Sequence, residues 1–385
     1  MLSLAFLLRT RHRPRAVPVQ WHFCISSRRQ GKRVKIASIV GARPQFIKAF
    51  PVSRALKEAG HVEIIVHTGQ HYDAQMSDVF FDEMGIARPD HFLEIGSGSH
   101  AEQTGRMMVA VERTLQDERP DYALVYGDTN TTLAAALAAC KLGVRLAHVE
   151  AGLRSFNRTM PEEHNRVLTD HCSDLLFCPT QTAVDNLANE GIRSGVHLVG
   201  DVMYDAVLHF ATRAKEQSRI LSTLGVRPRE YMLATVHRAY NTDDPAVLQR
   251  LLRALDTIGA PVVFPLHPRT RARLAAHDNG KSPRNVRLVD PVGYLDMLSL
   301  EQHAKVILTD SGGVQKEAFF FEVPCVTLRP ETEWIETVSS GWNVLAGSDP
   351  DAIVSAAREA ARPSAAAPHV FGDGRAADRI AALLT

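Results

Sequence analysis

Cysteine is scarce in this chain, with five in 385 residues. Cys24, Cys140, Cys172, Cys178 and Cys325 lie far apart or in apolar runs, without the paired spacing of a zinc site or the density of a disulfide scaffold. That usage predicts a reducing, cytoplasmic setting and no resident metal. Long apolar runs are missing too. A membrane-spanning helix needs about 18 consecutive apolar residues, whereas the stretch 2–8 is short and is followed by arginines, so no membrane association is expected. Neither sign of charge is in excess, with 44 Lys and Arg against 43 Asp and Glu. There is thus no broad field to hold a nucleic-acid backbone, and an anionic ligand must be gripped locally. Acids are wholly absent from residues 1–32, which carry Arg9, Arg11, Arg13, Arg15, Arg28, Arg29 and Lys32. Such a start resembles an organellar transit peptide; the competing reading is a misassigned upstream start. Both leave residues 1–32 outside the fold.

What is present is globular. With 45% hydrophobic and 23% charged residues, the chain can bury a sizeable core and is most simply two domains. From residue 34 onward short apolar runs alternate with stretches of helical period, the pattern of parallel sheets with covering helices. Strands are predicted at 34–40, 62–68, 122–126, 144–149, 175–178 and 196–199, then at 231–236, 261–266, 286–289, 305–309 and 325–328. Helices fall between them at 45–59, 101–118, 130–141, 181–189, 245–258, 313–321 and 351–361. An α/β fold follows, with two Rossmann-like, doubly wound domains at 33–205 and 206–372 facing a cleft. The junction falls within 200–230, and a C-terminal helix lies in 373–385.

In such sheets ligands sit beyond the carboxyl ends of the strands, so the residues just after each apolar run matter most. Gly41-Ala42-Arg43-Pro44-Gln45 follows the first strand and opens a helix. Its glycine permits a tight turn, and Arg43 brings a donor fork to the positive helix end. The glycines of a dinucleotide fingerprint are absent, and no cofactor is expected. Thr309-Asp310-Ser311-Gly312-Gly313 also joins a strand to a helix, where backbone N–H groups and the Ser311 hydroxyl suit a phosphate. One turn in, Glu317 is placed to hold ribose hydroxyls. The alternative at both turns is a strand-to-helix connection with no ligand. Strand-end acids are a sharper signal: Asp128, Glu150 and the pair Glu162-Glu163. Acids clustered in a cleft raise one another's pKa and become candidates for proton transfer near neutral pH, although Asp128 and Glu162 also read as helix caps or first-turn acids. From the second half His237-Arg238 follows a strand and points an imidazole and a guanidinium into the cleft. His171, Cys172 and Cys178 make a poor zinc match.

Seven segments in register carry a resemblance: Gly41-Ala42-Arg43-Pro44-Gln45-Phe46-Ile47-Lys48, Thr68-Gly69-Gln70-His71, Gly127-Asp128-Thr129, His148-Val149-Glu150-Ala151-Gly152-Leu153-Arg154, Pro161-Glu162-Glu163-x-Asn165-Arg166, His237-Arg238-x-x-Asn241-Thr242-Asp243 and Ser311-Gly312-Gly313-x-Gln315-x-Glu317. Together they resemble the non-hydrolysing UDP-N-acetylglucosamine 2-epimerases, from about residue 34 to 384. The resemblance implies a glycosyltransferase-B-like fold, a UDP-sugar in the cleft and a homodimer. It implies elimination of UDP to a 2-acetamidoglucal and re-addition to give UDP-N-acetylmannosamine. By resemblance Asp128, Glu150 and Glu162 carry the acid/base work, His237 assists departure of UDP, and Arg43, Arg166, Arg238, Ser311, Gly312, Gly313 and Glu317 hold the nucleotide. Gln70 and His71 match a segment beside which some bacterial members bind an activating UDP-sugar, but Tyr72-Asp73 departs from its polar pattern. Tyr240 stands where many relatives have Glu, and Pro330 where they have Asp. Glu331-Thr332-Glu333-Trp334 looks like the branch acting on UDP-2,3-diacetamido sugar uronates.

Other classes fit less well. A retaining glycosyltransferase shares the fold and nucleotide cradle but has less use for three carboxylates around one sugar. A hydrolysing epimerase would release free N-acetylmannosamine, and a catalytically dead sensor conflicts with intact Asp128, Glu150, Glu162 and His237.

Overall fold

The computed structural model describes residues 33–70, 85, 88–266, 270–271, 273–274 and 283–385. The basic extension, His71 and Tyr72-Asp73 lie outside the described residues. Apolar, β-branched runs form two parallel sheets. The first contains β1 (Lys35–Val40), β2 (Val62–His67), β3 (His91–Phe92), β4 (Tyr122–Tyr126), β5 (Arg145–Val149), β6 (Leu175–Cys178) and β7 (Val196–Leu198), in the order β3-β2-β1-β4-β5-β6-β7. The second contains β8 (Met232–Thr235), β9 (Val262–Pro265), β10 (Val286–Val289), β11 (Ile307–Thr309), β12 (Cys325–Thr327) and β13 (Asn343–Leu345), in the order β10-β9-β8-β11-β12-β13. This is the α/β architecture expected. All eleven predicted strands are present with ends shifted by up to two residues, while β3, two residues long, and β13, which opens on Asn343 and exposes Val344, leave no apolar run.

Chain order reverses between β1 and β4 in the first sheet and between β8 and β11 in the second. A crevice opens at each reversal because the flanking connections run to opposite faces. Every residue of β4 is buried, and the Asn130–Leu142 helix buries alanines against the sheet, which brings the Thr129 cap close to the strand ends. Thr129, not Asp128, is that cap, accepting from the Thr132 N–H at 3.4 Å.

The Pro161–Cys172 helix was not predicted from period. Its buried positions are Glu163, Asn165, Arg166, Thr169 and Asp170, so its inner face is polar. It packs on the Asn130–Leu142 helix and brings Cys172 beside Cys140, two thiols that looked remote in sequence. The Val202–Gln217 helix leaves the first sheet, yet Val202, Ala206, Val207 and Phe210 share one core with Leu295, Leu298, Ile380 and Leu384. The Ala376–Leu383 helix accordingly packs against the Arg43–Glu58 helix.

Candidate active site

The residues following β1, β4, β8 and β11 converge on the two crevices. After β1, a Cβ at Gly41 would sit 2.1 Å from Thr131 Oγ1 and 2.2 Å from Thr68 Oγ1, so the turn into the Arg43–Glu58 helix admits glycine only. Gln45 closes it: its Oε1 accepts from the Gly41 and Ala42 N–H groups at 2.8 and 3.1 Å, and its Nε2 donates to the Tyr126 carbonyl at 2.8 Å. Arg43 stands exposed at the helix start. One turn on, Lys48 reaches back to Glu150. Gly127 adopts φ 64°, and a Cβ there would meet Lys48 Nζ at 3.1 Å and Glu150 Oε2 at 3.3 Å.

Each acid is matched by a cation. Arg166 bonds Asp128 through one Nη and Glu163 through the other, the latter at 2.7 Å. Arg238, from the second half, donates to Glu162 Oε1 at 3.0 Å. Glu150 sits at φ 74°, a conformation costly for a non-glycine residue and found where surrounding contacts over-determine it. Those contacts are Lys48 on Oε2 and Lys316 on Oε1 at 2.8 Å. Lys316 also bonds Asp201 at 2.6 Å and lies 3.9 Å from the centre of the Trp334 ring. The expectation that the acids raise one another is therefore corrected for Glu150. Burial pushes its carboxyl up, but Lys316 and Lys48 outweigh that and hold it at about 2.

The remaining two differ in exposure. The side chains of Asp128 and Glu162 are 32% and 33% exposed, against 6% for Glu150. Glu163 is fastened by the Ser155 and Phe156 N–H groups, both at 2.9 Å. This separates the two neighbouring glutamates: Glu162 opens to the cleft and Glu163 holds the loop. His148 is fully buried, with Nδ1 2.7 Å from Asp170 and Nε2 2.8 Å from the Gly127 carbonyl, which fixes the floor beneath Asp128.

On the second wall Asp310 lies between the ends of β8 and β11. It accepts from the His237 and Arg238 N–H groups and from Asn241 Nδ2, and it lies 3.2 Å from His237 Nδ1. Burial would raise its pKa, yet His237, Asn241 and the Arg238 N–H bring it below the usual value. Ser311 caps the Gly312–Phe320 helix, its Oγ accepting from Val314 N–H at 3.5 Å. The two glycines differ. A Cβ at Gly312 would come within 2.5 Å of Glu333 Oε1, whereas nothing lies nearer than 3.8 Å at Gly313. Glu317 is buried and accepts from Tyr294 Oη at 3.0 Å. Gln70, three residues past the end of β2, is also buried, and its Oε1 accepts from Thr131 N–H at 2.9 Å, a bond that ties the loop after β2 to the first-wall helix.

Lys48, Asp201, Asp310 and Lys316 were not singled out from sequence. Asp310 had a signal, since it precedes the Ser-Gly-Gly turn, but its contact with His237 depends on β8 lying beside β11. Among the described residues no group of three or more His, Cys, Asp or Glu could hold a metal ion. No helix there is long and apolar enough to cross a membrane.

Residues 54–385 match the family model for UDP-N-acetylglucosamine 2-epimerase. A Methanococcus maripaludis protein described as a UDP-N-acetylglucosamine 2-epimerase homolog is 52% identical over 91% of this chain and 99% of its own. The Pseudomonas aeruginosa UDP-2,3-diacetamido-2,3-dideoxy-D-glucuronate 2-epimerase is also 52% identical, over 91% and 99% of the two chains. The crystal structure of Methanocaldococcus jannaschii UDP-GlcNAc 2-epimerase in complex with UDP-GlcNAc and UDP superposes with a TM-score of 0.85 at 42% identity, covering 91% of this chain and 99% of that one. A glycosyltransferase of kitacinnamycin, 15% identical with a TM-score of 0.59, shares the fold alone.

Proposed function

The chain belongs to the UDP-N-acetylglucosamine 2-epimerase family, and we propose that it inverts C2 of a UDP-2-acetamido sugar, interconverting UDP-N-acetylglucosamine and UDP-N-acetylmannosamine. The observation that carries this reading is the pair of cleft-facing acids, Asp128 on Arg166 and Glu162 on Arg238. One acid takes the C2 proton. The anomeric C1–O bond breaks with its electron pair leaving on UDP, and the new C1–C2 double bond gives a 2-acetamidoglucal. UDP then adds back through oxygen to C1, and the other acid delivers a proton to the opposite face of C2. Protons and electrons balance without a cofactor.

Arg43 and His237 meet the diphosphate, with Asp310 orienting the imidazole. Ser311 and the backbone N–H groups of the helix start, open at Gly313, take phosphate oxygens, and Glu317 takes the ribose hydroxyls. Glu150, pinned by two lysines, acts as a fixed negative charge that holds Lys48 and Lys316 in place. The cleft keeps the unsaturated sugar from water between the two steps. A homodimer is the expected active form, and light scattering of the purified chain tests it.

A second substrate is favoured by a specific observation. The Pseudomonas relative is named for a UDP-diacetamido uronate, and Glu331-Thr332-Glu333-Trp334 follows Arg329, which bonds Glu333 at 2.9 Å in the cleft wall. Proton NMR in deuterated water, run separately with UDP-N-acetylglucosamine and with UDP-2,3-diacetamido-2,3-dideoxyglucuronate, tests both readings. Deuterium entering C2 with the 2-epimer accumulating identifies the substrate. No exchange with either overturns the reaction.

A further inference from the structure

Glu301 is a carboxyl with no donor to meet. It lies on the Tyr294–His303 helix at 0% exposure, and among the described residues neither of its oxygens meets a hydrogen-bond donor. That helix packs against the Gly312–Phe320 helix, and the polar group Glu301 faces is the Glu317 carboxyl. Two buried acceptors placed face to face cannot both be ionised at tolerable cost, because neither water nor a shared cation offsets the repulsion. A proton between them resolves the conflict by turning one acceptor into a donor.

We infer that Glu301 keeps its proton at neutral pH and donates it to Glu317, fixing the Glu317 carboxylate as the acceptor for the ribose diol of a nucleoside diphosphate. The inference rests on the assignment of Glu317 to the ribose. The surroundings decide which member is charged. Tyr294 Oη donates to Glu317, and Lys316 and Arg43 act on Glu317. The groups that feel Glu301 are neutral: the Tyr231 and Tyr294 hydroxyls and the Cys325 thiol. Burial, reinforced by Glu317, pushes Glu301 well above the usual carboxyl range. Burial raises Glu317 too, and its carboxyl stays above the usual range, but Tyr294, Lys316, Glu301 and Arg43 all act against that rise, whereas every influence on Glu301 pushes it up. The charge accordingly rests on Glu317 and the proton on Glu301, which is a positioning residue and touches no substrate.

A carboxylate that must accept from two vicinal hydroxyls gains from being held in one orientation before the ligand arrives. Calorimetric titration of the full chain with UDP and with 2′-deoxy-UDP, alongside KM and kcat, tests this. Glu301→Gln keeps a donor and is expected to bind UDP within about twofold of the native chain. Glu301→Leu removes the donor in a similar volume and is expected to weaken UDP about tenfold, raising KM with kcat at saturation little changed. With 2′-deoxy-UDP the penalty of the Leu variant should shrink. An equal penalty for both nucleotides would mean a merely structural role and overturn the inference, as would native affinity in the Leu variant. If the Leu variant does not fold, pH decides. Native UDP affinity should fall as pH rises and the shared proton is lost, while Glu301→Gln stays flat over the same range. Parallel pH profiles would overturn the inference. Glu317→Gln separates the two levels: unchanged UDP affinity there sinks the ribose assignment, whereas a loss there with none in Glu301→Leu sinks only the role of Glu301.

Discussion

Two buried glutamates on opposite walls of the cleft meet opposite fates. Glu150, at the end of β5, lies between Lys48 and Lys316 and is held at about 2. Glu301, behind the second wall, meets no cation among the described residues and is driven up. Burial acts on both in the same direction and is the largest influence on each. The outcome is set by what stands within hydrogen-bond reach. The first wall uses its buried acid as a permanent charge that gathers two lysines from different halves of the chain; the second uses its buried acid as a donor. A buried carboxyl in this molecule has no protonation state of its own until its partners are named.

That contrast can be broken most forcefully at Glu150. Glu150→Leu would leave Lys48 and Lys316 facing each other in a buried site, and a loss of about 3–5 kcal/mol is expected, read by denaturant unfolding. A loss below about 1 kcal/mol would mean that the lysines find water and that the first wall is not organised by this charge. Next in size are the cleft-facing acids. Asp128→Asn and Glu162→Gln should lower kcat by a factor on the order of 10² or more with little change in melting temperature, because both groups reach solvent. Native turnover in both variants would remove them from the chemistry.

Opposite pH trends sharpen the contrast further. Glu150 has a folded pKa below its unfolded one, so its contribution is present above the ordinary carboxyl value and is lost as pH falls toward about 2. Glu150→Gln should therefore show a shallower loss of stability in acid. Glu301 has a folded pKa above its unfolded one, so its contribution is full in acid and is lost as pH rises through the folded value. Glu301→Gln should flatten the alkaline side of the profile and leave the acid side unchanged. This is the smallest effect, and thermal melts across pH decide it: a variant that tracks the native chain on the alkaline side would refute the shared proton.

Strands of parallel sheets are buried on both faces and read as continuous apolar runs, which is why β4 and β6 are legible in sequence to the residue. The Pro161–Cys172 helix escaped because a polar inner face leaves no apolar period, β3 because two residues carry no pattern, and β13 because it opens on Asn343 and leaves Val344 exposed. Site residues directly after strands were legible for a topological reason: the reversals at β1/β4 and β8/β11 expose just those positions. Their partners were not. Nothing in the order of residues pairs Lys316 with Glu150 or Arg238 with Glu162, since each pair joins separate halves. Glu301 sits among other polar residues at the end of a mixed helix and carries no local mark of the acid it faces.

The Ala376–Leu383 helix has a consequence for synthesis. All seven strands of the first sheet are made before residue 200, yet Ile380 and Leu384 belong to that sheet's core. The half that emerges first from the ribosome is thus completed only after the entire second half has been made. Until then its unfinished apolar surface, flanked by the Arg43–Glu58 helix, remains open to chaperones and to mispairing with neighbouring chains.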